Sequence, residues 1–321
     1  MKVFVAVDME GIAGLVQWDQ AQRDLERRLM TEEVNAAVRG AFAAGATEVL
    51  AGESHGNMRN LMPDLLDPRA GFLSGQPKPV NHMAGVDSSF DLALFVGYHS
   101  KAGTLHGVMA HTFSGNIFAL SFNGVEVGEI GTDAALCGFH GVPVGLVAGD
   151  RAACEEARSL LGEVQTVAVK EGVSRSAARC VPVERAREMI EAAAGEAVKR
   201  ASAFKPFTFD GPVSAQVVFI DPSYADTVEH VDFVTRVDGR TIRFEAEDFL
   251  NAFERFNGLG RACIMDERSL ATPSFEGFAG ANVLASQMDQ TLSSLSKSHP
   301  NGVVSFLNCR INEGYLRVLS L

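Results

Sequence analysis

The chain has 321 residues, of which 46% are hydrophobic and 21% are charged, so it is long enough to bury a core and is expected to form two domains. Its formal net charge of −12 at pH 7 argues against a nucleic-acid-binding protein, because such proteins need a basic surface. The sequence contains neither a signal sequence nor the roughly 18 consecutive apolar residues of a membrane-spanning helix, so we expect a soluble cytoplasmic protein with no membrane partner.

The first fourteen residues combine an apolar run with two carboxylates. Residues 3–7 are rich in β-branched side chains, which is typical of a strand buried on both faces in a parallel sheet. Asp8 and Glu10 follow this strand, and residues two apart in an extended segment point to the same side. Two carboxylates at the end of a buried strand repel each other unless a cation or a proton lies between them. The pattern indicates a metal site, and the alternative is a solvated acidic loop at the sheet edge.

Strands and helices alternate over the first 170 residues. A helix is predicted over residues 31–44, with Thr31 as its N-cap and Gly45 directly after its C-terminus. Further strands are predicted at residues 47–51, 91–96, 116–122, 143–148 and 164–170. This alternation predicts an α/β fold with a mainly parallel sheet covered by helices.

Three successive predicted strands end on side chains that can bind a metal. Asp8 and Glu10 follow the first strand, His55 follows the second and His99 follows the third. Because ligands bind just beyond the carboxyl ends of parallel strands, these side chains are expected to converge, and Glu129, at the start of a later helix, can join them. This mixed nitrogen and oxygen set suits zinc or a comparable divalent ion, and its size favours a carboxylate-bridged pair over a single ion.

Other chemistries find little support in the sequence, which lacks dinucleotide-binding, phosphate-loop, His-Glu-x-x-His and serine-hydrolase motifs. Arg175, in a Ser-Arg-Ser motif, is either a clamp for a substrate carboxylate or part of a turn before a helix. The five cysteines form no Cys-x-x-Cys pair and are expected to be reduced thiols. No role is assigned to the other isolated histidines, which are His82, His140, His230 and His299.

The ordered motifs resemble those of the D-aminopeptidase family of dinuclear zinc peptidases, whose members commonly accompany bacterial dipeptide-transport operons. Over roughly residues 1–265 these motifs are Val-Asp-Met-Glu-Gly-Ile, Ser-His, Gly-Tyr-His, Gly-Val-Met-x-His, Val-Gly-Glu and Ser-Arg-Ser. The resemblance implies that Asp8 bridges two zinc ions. It implies that Glu10 and His99 complete one metal site, and that His55 and Glu129 complete the other. It further implies that His111 is the catalytic histidine.

The activity implied by the resemblance is that of a zinc-dependent aminopeptidase acting on short peptides with a free N-terminus, including D-amino-acid peptides similar to D-Ala-D-Ala. The resemblance also implies a large ring-like homo-oligomer whose interior holds the active sites. Two alternatives stay open, namely another metal-dependent amidase or hydrolase and a non-catalytic metal-dependent peptide-binding protein. The sequence does not decide whether His111 acts as a general base, a proton donor to the leaving amine or a donor to the oxyanion.

Two positions depart from the family pattern. His55 follows Gly-Glu-Ser where family members carry Asn-Asp-Ser, and Glu53 can orient His55 by accepting its ring N–H. The loop that leads to His111 is one residue longer and contains His106, which is a rival for the catalytic role.

Three segments are predicted along the chain: a metal-binding α/β catalytic domain at 1–205, a smaller α+β domain at 206–266 and an extension at 267–321 outside the family resemblance. Helices are predicted at 182–201 and 246–256, and strands at 214–220, 233–237 and 240–244. In the extension, strands 303–307 and 315–319 are predicted to form a hairpin, and one helix face is predicted to carry Leu284, Met288, Leu292 and Leu295.

Overall fold

The computed structural model describes the backbone of residues 1–270 and the side chains of residues 1–260. Its strands are β1 (Lys2–Val7), β2 (Glu48–Glu53), β3 (Gly71–Leu73), β4 (Leu92–Tyr98), β5 (Ile117–Phe122), β6 (Val125–Val127), β7 (Val144–Asp150), β8 (Gln165–Ser174), β9 (Ala177–Cys180), β10 (Val213–Phe219), β11 (Thr235–Arg236) and β12 (Thr241–Ala246). Its α-helices are α1 (Arg23–Ala43), α2 (Glu129–Phe139), α3 (Arg151–Leu161), α4 (Val183–Lys199), α5 (Pro222–Val228) and α6 (Phe249–Leu270). The helix and hairpin predicted within residues 284–319 lie outside the described residues.

The main sheet has seven strands in the order β3-β2-β1-β4-β7-β8-β9. All neighbouring strands in it are parallel except β9, which pairs antiparallel with β8. Residues Val3 to Val7 of β1 are fully buried, because one face of the sheet packs on α1 and α4 and the other packs on α2 and the second sheet. The predicted α/β fold with a mainly parallel, helix-covered sheet is confirmed.

A second, antiparallel sheet has the strand order β11-β12-β10-β5-β6. The strand predicted at 116–122 lies in this sheet and not in the main one, because β5 pairs with β10 and turns back into β6. Asn123 and Gly124 form that turn with positive φ values of 49° and 81°, which suit a tight hairpin. The second sheet therefore draws on both sides of the predicted boundary at residue 205, and both sheets lie in one compact unit, Met1–Asp266.

Helix α1 begins eight residues before the helix start that the sequence predicts. The prediction that Thr31 is its N-cap is wrong, since the hydroxyl of Thr31 donates to the Arg27 carbonyl within the helix and accepts the Met62 N–H, at 2.8 and 3.0 Å. Asp24 and Glu26 already supply the acidic first turn that a helix N-terminus favours. Gly45 follows the helix with a φ of 104°, as predicted for a C-terminal glycine.

None of the helices in the described part of the chain combines the length and hydrophobicity needed to span a bilayer. Among the cysteines with described side chains, Cys137 and Cys154 are buried, Cys180 is exposed, and all three are free thiols.

Candidate active site at a buried carboxylate–histidine cluster

All five predicted ligands converge at one edge of the main sheet. Asp8 follows β1, His55 and His99 follow its two parallel neighbours β2 and β4, and Glu129 is the first residue of α2. The loop after β1 can approach β4 because Gly11 lacks a side chain. A Cβ at Gly11 would lie 1.9 Å from the Tyr98 carbonyl oxygen. Parallel pairing therefore brings ligands from distant parts of the sequence together, as the sequence pattern predicts.

Asp8 lies between two groups of ligand atoms. One carboxylate oxygen of Asp8 is 3.4 Å from Nδ1 of His55, and the other is 3.4 Å from Nε2 of His99. Glu10 approaches His55 at 2.9 Å, and Glu129 approaches His99 at 3.4 Å. In both triads, Asp8–Glu10–His55 and Asp8–His99–Glu129, the ligand atoms lie within 4.8 Å of one another.

The resemblance implies another pairing, of Glu10 with His99 and of His55 with Glu129, and the ligand atoms of Glu10, His99 and His111 also lie within 4.8 Å of one another. The strand order explains the two triads around Asp8, because β1 lies between β2 and β4. Asp8 therefore has His55 on one side and His99 on the other, and the nearest remaining carboxylate completes each triad.

Several polar atoms of the cluster are buried without a hydrogen-bond partner among the described residues, namely Oδ2 of Asp8, Oε2 of Glu10 and Nε2 of His99. A buried polar atom without a partner costs about 1–3 kcal/mol, so such atoms usually meet an ion, a water or another ligand. Carboxylate oxygens and imidazole nitrogens are the ligand types that zinc accepts. The donor set therefore fits zinc.

Burial and the neighbouring charges shift the pKa values of the side chains in the cluster. Burial, and then the charge of Glu10, raises the pKa of Asp8 to about 6. Burial opposes the protonation of His55, but the charge of Glu10 and the close approach of both carboxylates to the ring raise its pKa to about 10. The pKa of His99 is held well above its ordinary value, because Glu129 outweighs the desolvation of the ring. The centre of the cluster thus stabilises positive charge, as a cation site must.

His111 faces the cluster from the loop between β4 and β5. Its Nε2 lies 3.7 Å from Glu129 and 3.9 Å from Glu10, and its ring stacks on His99 with centroids 4.1 Å apart. Nδ1 of His111 lies 3.0 Å from the Met109 carbonyl oxygen, which fixes the proton on Nδ1 and leaves Nε2 directed at the cluster. The rival His106 is exposed and has no contact with the cluster in the described part of the chain.

Glu53 does not orient the ring of His55, so that prediction is wrong. Its carboxylate is fully buried and accepts the backbone N–H groups of Asn60 and Leu61, at 2.6 and 3.1 Å. The chain turns sharply after β2, and the nearby amides of this turn attract the carboxylate away from the ring. The His55 ring instead lies against Trp18, with centroids 4.8 Å apart and the ring planes tilted by 38°.

A buried histidine next to the cluster was missed in the sequence. Nδ1 of His82 lies 3.3 Å from Asp133 and 3.7 Å from Glu129. Asp133 also accepts the hydroxyl of Tyr98 at 2.8 Å. The spacing of Glu129 and Asp133, four residues apart on one helix face, was an available signal. No local sequence pattern predicts that His82 lies beside the cluster, because its position depends on the path of the loop between β3 and β4.

Two buried charged residues hold the loop that carries Glu10. The ammonium of Lys170, which is 1% exposed, donates to the carbonyl oxygens of Glu10, Ile12 and Leu15. The carboxylate of Glu33 accepts the Ala13 N–H at 2.7 Å. Burial lowers the pKa of Lys170 to about 8 and raises that of Glu33 to about 7.

Two cavities meet at the cluster. The first, of about 250 Å³, is partly apolar, and its lining includes Met58, Phe113, Ile117 and Phe256. The second, of about 290 Å³, is lined by Trp18, Met109, Arg175 and Ser176 among others. Both cavities include Glu10, His111 and Ser114 in their walls. A substrate can therefore extend to both sides of the cluster.

Comparisons with known proteins agree with this geometry. A sequence profile described as D-aminopeptidase matches residues 1–258. The chain is 37% identical over 263 residues to a D-aminopeptidase of Bacillus subtilis (strain 168), which covers 79% of this chain and 94% of that protein. Among solved structures, the fold matches the Zn-dependent D-aminopeptidase DppA from Bacillus subtilis, described as a self-compartmentalizing protease. That match has a TM-score of 0.79 and 34% identity, and it covers 82% of this chain and 98% of the other.

Proposed function

Because the chain belongs to the D-aminopeptidase family and is therefore a hydrolase acting on peptide bonds, we propose that it removes the N-terminal residue from short peptides, including D-amino-acid peptides. We propose that it does so with two zinc ions. The observation that carries this proposal is the position of Asp8, whose two carboxylate oxygens face two separate groups of ligand atoms.

The proposed metal centre divides along the two triads. Asp8, Glu10 and His55 would hold one ion, and Asp8, His99 and Glu129 would hold the other, with Asp8 common to both groups. A bridging carboxylate between two sets of nitrogen and oxygen ligands is a common arrangement for two-metal hydrolysis. The similarity to a protein described as Zn-dependent supports the choice of metal.

In the proposed reaction, water adds across the scissile C–N bond, so the carbonyl carbon gains a hydroxyl group and the leaving nitrogen gains a proton. When bound, zinc supplies Lewis-acid polarisation of the carbonyl group and acidifies the attacking water. His111 moves the proton at Nε2, because Nδ1 is committed to the Met109 carbonyl oxygen. Stacking on His99 keeps the ring of His111 directed at the reacting atoms.

We also propose that copies of this chain assemble into a ring-like homo-oligomer. The similarity to a self-compartmentalizing protease supports the proposal. Leu105 and Val173 are 80% and 69% exposed, and they flank the point where the backbones of His106 and Gly172 come into contact. Apolar side chains at such exposure, close to the second cavity, suit a contact between subunits.

The test is turnover combined with metal analysis of protein purified without chelator. We expect close to two zinc ions per chain and hydrolysis of D-Ala-D-Ala in preference to L-Ala-L-Ala. We expect Asp8→Ala to lose both ions, because this change removes the proposed bridge, whereas Glu10→Ala should keep the ion held by His99 and Glu129. Failure of the zinc-loaded protein to hydrolyse any short peptide or peptide amide would overturn the proposed function. Retention of both ions by Asp8→Ala would overturn the bridge.

A further inference from the structure

The second cavity contains a cationic side chain that has no acidic partner in the described part of the chain. Arg175 lines this cavity together with Ser176, and its guanidinium forms no ion pair or side-chain hydrogen bond with the described residues. Many other arginines, such as Arg39 and Arg151, are paired with glutamates. In a protein with a net charge of −12, an unpaired arginine beside an acidic cluster is available for an anionic ligand.

The backbone fixes Arg175 relative to the catalytic loop. The residue lies at the turn of the β8–β9 hairpin, where its carbonyl oxygen accepts the Met109 N–H at 2.8 Å. The hairpin also packs directly on the same loop, since a Cβ at Gly172 would lie 1.9 Å from the His106 carbonyl oxygen. Met109 is two residues from His111, so this backbone hydrogen bond fixes the position of Arg175 relative to His111.

The two cavities differ in their permanently cationic side chains. The lining of the first cavity includes Asp8, Glu10 and Glu129 and contains no lysine or arginine among the described residues. That cavity therefore offers a substrate carboxylate no arginine or lysine with which to pair. The second cavity offers the guanidinium of Arg175, which can bind a carboxylate through two parallel hydrogen bonds.

We propose that Arg175 binds the C-terminal α-carboxylate of the substrate, which selects dipeptides with a free carboxylate over their amides. The inference rests on the proposed peptidase function. The N-terminal residue of the substrate then occupies the first cavity, the scissile bond lies at the cluster, and the residue that leaves occupies the second cavity. Because Arg175 lies at a fixed distance beyond the scissile bond, it favours peptides in which a single residue follows that bond.

The experiment compares two substrates that differ only in this carboxylate, D-Ala-D-Ala and D-alanyl-D-alaninamide, on the full-length zinc-loaded protein. We expect Arg175→Gln to raise KM for the free acid by roughly 10- to 100-fold, with a smaller change in kcat, because the lost interaction involves a charged group and is present before the transition state. The amide should show no such change. Arg175→Lys should recover part of the loss, because it keeps the charge but not the paired geometry.

Arg179→Gln is the matched control, because Arg179 is an exposed arginine on β9 that lies outside the second cavity. Its kinetics and those of the wild type should agree for both substrates. Equal losses on the free acid and the amide in Arg175→Gln would overturn the proposal and indicate a structural role. Unchanged kinetics in Arg175→Gln, with an active wild type, would overturn it while leaving the proposed function intact. A wild-type protein that hydrolyses neither substrate nor any other short peptide would overturn both the proposed function and the role of Arg175.

Discussion

The substitution Lys170→Met most directly tests how the loop that carries Glu10 supports the proposed metal centre. The wild-type ammonium is 1% exposed and donates to three carbonyl oxygens in the loop after β1, one of which belongs to Glu10. Methionine has nearly the same length and fills the same space, but it donates no hydrogen bond. The substitution therefore removes the support of the loop without opening a large cavity.

The magnitude follows from two opposing contributions. Hydrogen bonds from a charged donor contribute about 1.5–3 kcal/mol each, but removal of the ammonium also removes the cost of burying it. Loss of one partner from a buried charged network costs about 3–5 kcal/mol in measured cases. We expect the free energy of unfolding to fall by about 3 kcal/mol. Since Glu10 loses its backbone support, we also expect zinc affinity to fall by about 10-fold or more.

Urea denaturation at fixed zinc concentration measures the first effect, and a zinc titration measures the second. Lys199→Met serves as the control, because Lys199 is exposed at the end of α4. The reasoning is refuted if the free energy of unfolding of Lys170→Met lies within about 0.5 kcal/mol of the wild-type value and the variant binds zinc equally well. The three hydrogen bonds would then not stabilise the loop.

Two further predictions concern His111 and the pH dependence of stability. His111→Ala should keep its zinc and lose roughly 10²- to 10⁴-fold in kcat, whereas His106→Ala should be nearly silent; the reverse result would show that His106 is the catalytic residue. Burial raises the pKa of Glu33 from 4.5 to about 7, so between these values the folded protein holds a proton that the unfolded chain has released. Wild-type stability should therefore fall relative to Glu33→Gln as pH rises through this window, and parallel stability curves in denaturation experiments would contradict the assignment.

The parts of the fold that depend on local pattern could be predicted from the sequence. The apolar run before Asp8 identified β1, and the ends of β2 and β4 placed His55 and His99 at the same sheet edge. The position of each histidine relative to Asp8 could not be predicted in this way, because it depends on the lateral order of the strands in the sheet. The order β2-β1-β4 sets His55 and His99 on opposite sides of Asp8.

Long-range contacts account for the remaining differences. The sequence of β5 predicts a strand but does not indicate which sheet the strand joins. Its pairing with β10, about a hundred residues later, assigns it to the second sheet. Glu53 has the right spacing to reach His55, but the amides of Asn60 and Leu61 compete for its carboxylate. When a polar side chain has several possible hydrogen-bond partners, the sequence pattern alone does not predict which partner it contacts.

The path of the chain between His99 and Glu129 has a mechanical consequence. The chain leaves the main sheet at His99, forms β5 and β6 in the second sheet, and returns at Glu129, whose Oε1 lies 3.4 Å from Nε2 of His99. An ion shared by these two side chains would close a covalent loop, much as a disulfide does, and cross-links over loops of comparable length contribute about 3–4 kcal/mol through the entropy of the unfolded chain. The metal would then cross-link the two ends of the segment that forms β5 and β6, so chelation should destabilise these two strands as well as stop catalysis.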